Sequence, residues 1–486
     1  MDATFQLLAL LPIVVLLVLS LWQGVKVGIY AGLAVTCLLF FVWESPWLAF
    51  PAAFLAAFVD TFGILMIVFG AIFLYYTMEK RGLIDGIKGS LSGIHSDRSF
   101  QFYFLAFFMT AFFESVAGFG TPGAIVPLLL ISLGFSAIRS IATVLLIDGL
   151  FAVSGAIGTP VTAGLEAPLS LDPELVASIY LYASVGMAIA GMGVVLSVQR
   201  EMKAELKAGQ AFPWKIYLAL MLPFAGFSYV AQDLTGVLAS VCLAVISYLF
   251  LFTNRRLALR PWLPYLFLVG LLLLPKLIPA FGVFLSYKIS FEGILGTEVN
   301  AALQPLRSPF GPFVLAGLLA AAMTQNYSLD LKPVWNKTLG VFLILFPSLA
   351  ITRLMLASGS GPMPSMVDSM AAIFVETGLA YPLLSPLIGV LGAFITGSTT
   401  VSNVIFGPVQ LSAAQQLSLP ESVVLALQLA GASLGNAVCL FNIIAAAAVA
   451  NVKDYGEILK KNILPVLGAS LVLALLGYWG MYVLGG

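Results

Sequence analysis

Two acids and one run of hydroxyls are the groups in this chain best suited to chemistry. Glu114 stands between Phe113 and a Gly118-Phe-Gly120 turn, and Asp148 lies within the apolar stretch 138–152; neither has a basic residue three or four positions away. A carboxylate in apolar sequence without a local cation is expensive to keep ionised. Such a group suits proton carriage, loading on one side of a barrier and releasing on the other. Either acid could instead hydrogen-bond to a broken helix end. The second group is Thr396-Gly-Ser-Thr-Thr-Val-Ser-Asn403. There the hydroxyls and amide of Ser398, Thr399, Thr400, Ser402 and Asn403, with free backbone N–H groups, can hold a small carboxylate.

The other titratable groups carry less. Arg139 and Arg353 fall near expected helix ends, from which they can snorkel to an interface. Asp60, Asp368 and Glu376 read as interfacial, and His95 as a solvated loop residue. Cys37, Cys242 and Cys439 show no metal-ligand spacing. With one histidine in a loop and the intramembrane acids isolated, the chain lacks the nucleophile–base pair or metal cluster that an enzyme needs. No catalytic residue, metal or cofactor is expected.

The elements that must position these groups are apolar helices. Of 486 residues, 61% are hydrophobic and 9% charged, and the mean hydropathy is +1.06. Runs able to cross the roughly 30 Å of hydrocarbon recur at residues 7–22, 27–43, 62–78, 175–198, 214–230, 234–252 and 463–484. About twelve to fourteen membrane segments are expected in all. Backbone polar groups find no water in lipid, so the runs are helices, and the alternating segments of a β-barrel are absent. The fold class is all-α integral membrane. The first run lacks a basic start and a cleavage site, so it reads as a helix and not as a signal peptide. Equal numbers of basic and acidic residues, 22 each, argue against nucleic acid and against a polybasic anchor.

Lys and Arg mark the cytoplasmic side. They gather at Lys26, Lys80/Arg81/Lys88/Arg98, Arg200/Lys203/Lys207, Arg255/Arg256/Arg260 and Lys453/Lys460/Lys461, whereas residues 44–53, 166–174 and 358–369 carry none. Threading the spans through these marks puts both termini outside. Two stretches, 112–167 and 394–449, share a pattern: a long apolar helix enters a Gly/Ser/Thr/Pro/Asn-rich break, and a second interrupted helix follows. Gly149, Gly155, Gly158 and Pro160 interrupt the first of these second helices; Gly431, Gly435 and Asn436 interrupt the other. By the basic-loop count the two units face opposite ways. Paired broken helices in oppositely oriented halves point to a secondary transporter with its site near the midplane. A passive channel would need a continuous polar stripe instead. Close helix packing by small residues is the alternative explanation for any single glycine.

The segments Phe112-Phe-Glu-Ser-Val-Ala-Gly-Phe-Gly-Thr-Pro122 with Leu133-Gly-Phe135, and Gly392-Ala-Phe-Ile-Thr-Gly-Ser-Thr-Thr-Val-Ser-Asn403 with Gln410 and Ala414-Gln-Gln416, resemble the two signatures of the lactate permease family. The resemblance implies a proton-coupled importer of lactate or glycolate in the bacterial plasma membrane. It also implies re-entrant hairpins and an elevator-like transport domain beside a scaffold, often in dimers. Glu114, Gly118, Gly120, Thr121 and Pro122 match the first motif, and Gly397, Ser398, Thr399, Thr400, Ser402, Asn403 and Gln410 fall in the second. The chain departs from the family pattern at three places: Thr399 stands where relatives carry an acid, Asn436 where they carry a lysine, and Asp148 where they carry an uncharged polar residue. Asp148 is expected to have taken over part of the missing carboxylate's role.

On this basis residues 1–58 and 199–337 are scaffold helices. Residues 59–198 form a first repeat, with a hairpin near 112–135 and a broken helix over 137–165. Residues 338–486 form the second, with a hairpin near 394–416 and a broken helix over 420–450. The expected function is proton-coupled uptake of a small monocarboxylate such as L-lactate, D-lactate or glycolate. The alternative is a sodium-coupled carrier of another small organic anion, since unwound carbonyls and the hydroxyls of 398–402 could coordinate Na⁺.

Overall fold

A computed structural model describes residues 3–91, 94–118, 120–206, 211–253, 258–285, 287–306, 308–325 and 329–482. Phe119 at the tip of the first break, and Lys207, Arg255 and Arg256 among the orientation marks, lie outside these residues. The apolar runs fold as helices. Helices α1 (Ala3–Gln23), α2 (Val25–Val42) and α3 (Ala49–Lys80) open the chain, followed by the short α4 (Leu83–Leu91). Next come α5 (Arg98–Val116) and α6 (Thr121–Ser132), which form a hairpin. Asp97 starts it by accepting the N–H groups of Ser99 and Phe100. Its base closes where Arg98 donates to the Gly134 carbonyl and stacks over Phe135.

Helix α7 (Ala137–Phe151) ends in a 3₁₀ turn over Ala152–Ser154, and α8 (Gly155–Val161), a π turn over Thr162–Glu166 and α9 (Ala167–Leu169) follow. Ala156 and Ile157 adopt left-handed backbone (φ 44° and 53°) before Gly158 (φ 75°). Two consecutive non-glycine residues in that region are strained. Helix α10 (Pro173–Met202), capped by Asp172, leads to α11 (Ala211–Val230), a 3₁₀ turn over Gln232–Leu234, and α12 (Thr235–Phe250). Helices α13 (Leu263–Leu277) and α14 (Pro279–Leu285) precede a small antiparallel pair of strands, β1 (Ile289–Phe291) and β2 (Ala301–Leu303). This ribbon is the departure from an all-helical reading. Gly293 and Gly296 make the positive-φ turns it needs, and the Asn300 side chain accepts the Gly293 N–H.

Helices α15 (Phe310–Met323), α16 (Leu331–Ala357) and α17 (Met366–Val375) lead to a second hairpin, α18 (Tyr381–Thr396) and α19 (Thr399–Gln416). Then come α20 (Glu421–Gly435), α21 (Leu440–Val449) and α22 (Tyr455–Tyr482). Among the described residues, nine helices are long and apolar enough to cross a membrane, and shorter apolar helices such as α6, α13, α15 and α18 stand beside them. The protein is an all-α, multi-pass integral membrane protein.

Helices α1, α2, α3, α15 and α16 pack together, while α5–α8, α10–α12, α18–α20 and α22 form a second group. The first group contains a correction to the sequence-based placement of Asp60 and Arg353 at interfaces. The Arg353 side chain folds inward and donates to Asp60 Oδ2 from Nε (2.8 Å) and Nη2 (2.7 Å), with the two side chains only 11% and 2% exposed. A guanidinium this deep is held by its partner and not by water. Arg139 does stand near a helix end, paired with Glu205 at 2.6 Å. His95 is half-buried rather than fully solvated: it stacks on Phe100, and its Nδ1 accepts the Asp97 N–H.

Candidate functional site

The last turn of α5 carries Glu114, and Asp148 projects from α7 toward it. The two carboxyls lie within hydrogen-bonding reach of one another, each residue being 6% exposed. The acids are therefore not isolated, as their sequence neighbourhoods suggested; the hairpin returns α7 against α5 and makes them a pair. No cation pairs with either among the described residues. Two carboxyls in contact cannot both be ionised cheaply, so such a pair can share one proton.

The unwound segment is shaped to receive this pair. A side chain at Gly155 would overlap Glu114 Oε1, and a Cβ at Gly118 would come within 2.9 Å of the Ala156 Cβ. The hairpin tip thus rests directly on the left-handed turn of its own broken helix. Gly120 (φ 76°) starts α6 with open space where a side chain would point, Thr121 donates its N–H to the Gly118 carbonyl, and Pro122 occupies the first turn.

In the second hairpin, Gly397 (φ 71°) makes the tip and Ser398 caps α19 by accepting the Val401 N–H. Thr399 and Thr400 supply the open first turn, whose N–H groups have no partner within the helix. Asn436, just past the end of α20, donates through Nδ2 to Thr399 Oγ1 at 2.8 Å, while its Oδ1 is buried without a partner among the described residues. Ser398, Thr399, Thr400 and Asn436 form one polar cluster at the tip.

Ser402, Asn403 and Gln410 are placed differently. They are fully buried and belong to a chain of amides. Tyr381 donates to Gln410, Gln410 donates to Gln428, and Gln428 donates to Ser402 and Asn403. Asn403 then donates at 3.0 Å to the carbonyl of Pro160, which lies just past the break in the first unit. Gln410 lies about 18 Å along α19 from Ser398 at 1.5 Å per residue. These groups tie the hairpin to its surroundings. A second tie runs from Ser433 on α20 to the Gly149 carbonyl at 2.7 Å. Gln428, Tyr381 and Ser433 escaped the sequence reading, although a glutamine in the middle of an apolar helix is itself a signal.

Glycines let α18 and α20 touch backbone to backbone: side chains at Gly389 and Gly431 would strike the carbonyls of Gln428 and Pro386, and one at Gly435 would lie 2.6 Å from the Val390 carbonyl. Gly431→Ala is expected to destabilise the protein by about 1–3 kcal/mol, read as an earlier thermal unfolding in detergent. Unchanged unfolding would show that the contact yields without cost.

Comparison with known proteins gives this geometry a context. A family model described as L-lactate permease matches residues 5–205 and 231–484. A putative L-lactate permease of Haemophilus influenzae is 26% identical, covering 84% of this chain and 85% of that protein. An L-lactate permease of Streptococcus iniae is 28% identical over 73% of this chain and 78% of its own length. A glycolate permease of Escherichia coli is 25% identical over 99% and 96%. With the family model spanning nearly all of its length, the chain belongs to the L-lactate permease family.

Proposed function

We propose that the protein imports a small monocarboxylate such as lactate or glycolate together with a proton, across the bacterial plasma membrane with both termini outside. The observation that carries this reading is the buried Glu114–Asp148 pair, two acids in contact with no cation paired to either among the described residues, directly behind a hairpin tip. One proton held there neutralises part of the charge that a monocarboxylate brings into the membrane. The substrate carboxylate lies at the open first turns of α6 and α19, beside Ser398, Thr399, Thr400 and Asn436. The names of the relatives support a lactate or glycolate cargo.

The two hairpins and two broken helices move as one inverted pair against the scaffold. Support comes from their cross-ties, Asn403 to Pro160 and Ser433 to Gly149. Helices α11 and α12 pack on α5 and α10, so we assign them to the moving body, whereas the sequence-based division at 199–337 put them in the scaffold. One observation favours sodium as the alternative coupling ion: the unpaired Asn436 Oδ1 is a ready cation ligand.

Uptake of labelled L-lactate and glycolate into proteoliposomes, with pH and Na⁺ gradients imposed separately, tests substrate and ion together. Accumulation is expected under an inward proton gradient alone. Uptake that follows only the Na⁺ gradient would transfer the coupling role to Asn436, and no uptake of either acid would remove the proposed cargo.

A further inference from the structure

We propose that a polar seam between α5, the unwound segment and the start of α12 is the path by which protons reach the Glu114–Asp148 pair from the surface at Asp233. The inference rests on the reading of that pair as the proton carrier. At its inner end, Ser115 follows Glu114 in the chain, and Ser154 precedes Gly155, over which the Glu114 carboxyl lies. Both hydroxyls converge on Gly236 of α12: a side chain there would overlap Ser115 Oγ and come within 2.8 Å of Ser154 Oγ. Thr235, beside Gly236, is fully buried, as are Ser115 and Ser154.

Buried hydroxyls are ordinarily hydrogen-bonded, yet Ser115 Oγ and Thr235 Oγ1 have no partner among the described residues. Among the described residues, Ser154 Oγ makes only a long bond of 3.4 Å to the Phe151 carbonyl. A hydroxyl free of a fixed partner can turn between accepting and donating, which a relay requires. At the outer end, Asp233 is half-buried in the 3₁₀ turn two residues before Thr235. Tyr180 holds it there, donating to Asp233 Oδ1 at 2.9 Å. The same hydroxyl lies 3.2 Å from the Gly158 carbonyl, so Asp233 is docked on the left-handed turn itself. Among charged groups, Asp233 and Glu166 face Tyr180, while Glu114 and Asp148 face each other.

The transfer balances as a series of proton hops. Hydronium at the mouth protonates the Asp233 carboxylate and leaves as water, and because Thr235 Oγ1 has no partner among the described residues, the proton passes from Asp233 to Thr235 through intervening water. Each hydroxyl accepts one proton and releases its own, and water bridges the unpartnered Thr235 and Ser115 hydroxyls to one another and to the carboxyl pair, whose Asp148 Oδ1 is also without a partner among the described residues. No group is oxidised or reduced, and Tyr180 is a positioning residue that keeps Asp233 at the mouth.

The test uses the full-length protein reconstituted in liposomes, comparing wild type with Asp233→Asn, Thr235→Val and Ser115→Ala. Infrared spectroscopy follows deuterium exchange of the protonated carboxyl band that Glu114→Gln removes. Exchange is expected to slow by about tenfold in each variant, the effect of about 1.4 kcal/mol on a barrier. The ratio of proton-driven uptake to counterflow of labelled lactate should fall by a similar factor. Asp233→Glu and Thr235→Ser, which keep a carboxyl and a hydroxyl, should restore both and separate relay from folding. Wild-type exchange and an unchanged ratio in the Asn, Val and Ala variants would overturn the path. A wild-type band that Glu114→Gln leaves in place would instead overturn the carboxyl pair, and the path with it.

Discussion

Glu114→Gln and Asp148→Asn are each expected to abolish accumulation of substrate driven by a pH gradient, while counterflow of labelled for unlabelled substrate falls far less. Counterflow returns the carrier loaded in both directions, so it does not require the proton to leave. Net uptake does. Because the two carboxyls touch and no cation pairs with either among the described residues, the proposed proton carrier is the pair as a unit, and removing one acid removes the shared site. A one-unit loss in the proton affinity of the pair is already about tenfold in occupancy. The double variant is therefore expected to be no worse than the worse single one, the non-additivity of groups that act together. Uptake measured at fixed external pH, with and without an imposed gradient, reads this directly. If Asp148→Asn accumulates substrate like wild type while Glu114→Gln does not, Glu114 alone carries the proton and the pair is only structural.

The second polar cluster sharpens the point. The resemblance to lactate permeases implies an acid at position 399 and a lysine at 436. Here Asn436 and Thr399 meet as a neutral hydrogen-bonded pair at 2.8 Å. The charge lacking in one unit has its counterpart in the other, where Asp148 stands against Glu114. That Asp148 takes over part of the role of the acid missing at Thr399 remains a proposal, which uptake by Asp148→Asn tests.

The breaks were legible because their cause is local. Gly118-Phe-Gly120 and Gly397-Ser398 interrupt long apolar runs, and the structure turns the chain at each. Asp148 was legible as an acid with no cation nearby. What it touches was not, because Glu114 comes from another helix and meets it only once α7 folds back on α5. Ala156 and Ile157 were hidden for a different reason: alanine and isoleucine do not signal left-handed backbone, and packing against Gly118 and the Tyr180–Asp233 contact hold the turn there. Ser402, Asn403 and Gln410 were recognisable as polar residues within a membrane segment. Whether such a residue binds substrate or ties one helix to another depends on its partners, which lie on α8, α18 and α20.

Asp60→Asn and Arg353→Gln are each expected to destabilise the protein by about 3–5 kcal/mol, because each strands one charge in a site that excludes water. The two residues are 293 positions apart, and their ion pair joins α3 to α16, which pack on one another. The same helices carry a second ion pair, Lys80–Asp330, at 3.4 Å, but there the side chains are 56% and 48% exposed. A pair that open to water contributes about 0–1 kcal/mol, so Lys80→Gln should leave thermal unfolding in detergent nearly unchanged. The contrast separates burial from mere charge pairing. Replacing both deep partners together, Asp60→Leu with Arg353→Met, removes the stranded charge as well as the attraction, and it is expected to recover most of the stability lost in either single variant. Transport by that double variant then decides what the pair is for. If uptake returns along with stability, the ion pair serves the packing of α3 against α16. If the protein is stable and uptake stays lost, a fixed charge at Arg353, one residue from the Thr352 hydroxyl that donates to the Val404 carbonyl of α19, acts in transport through that hairpin.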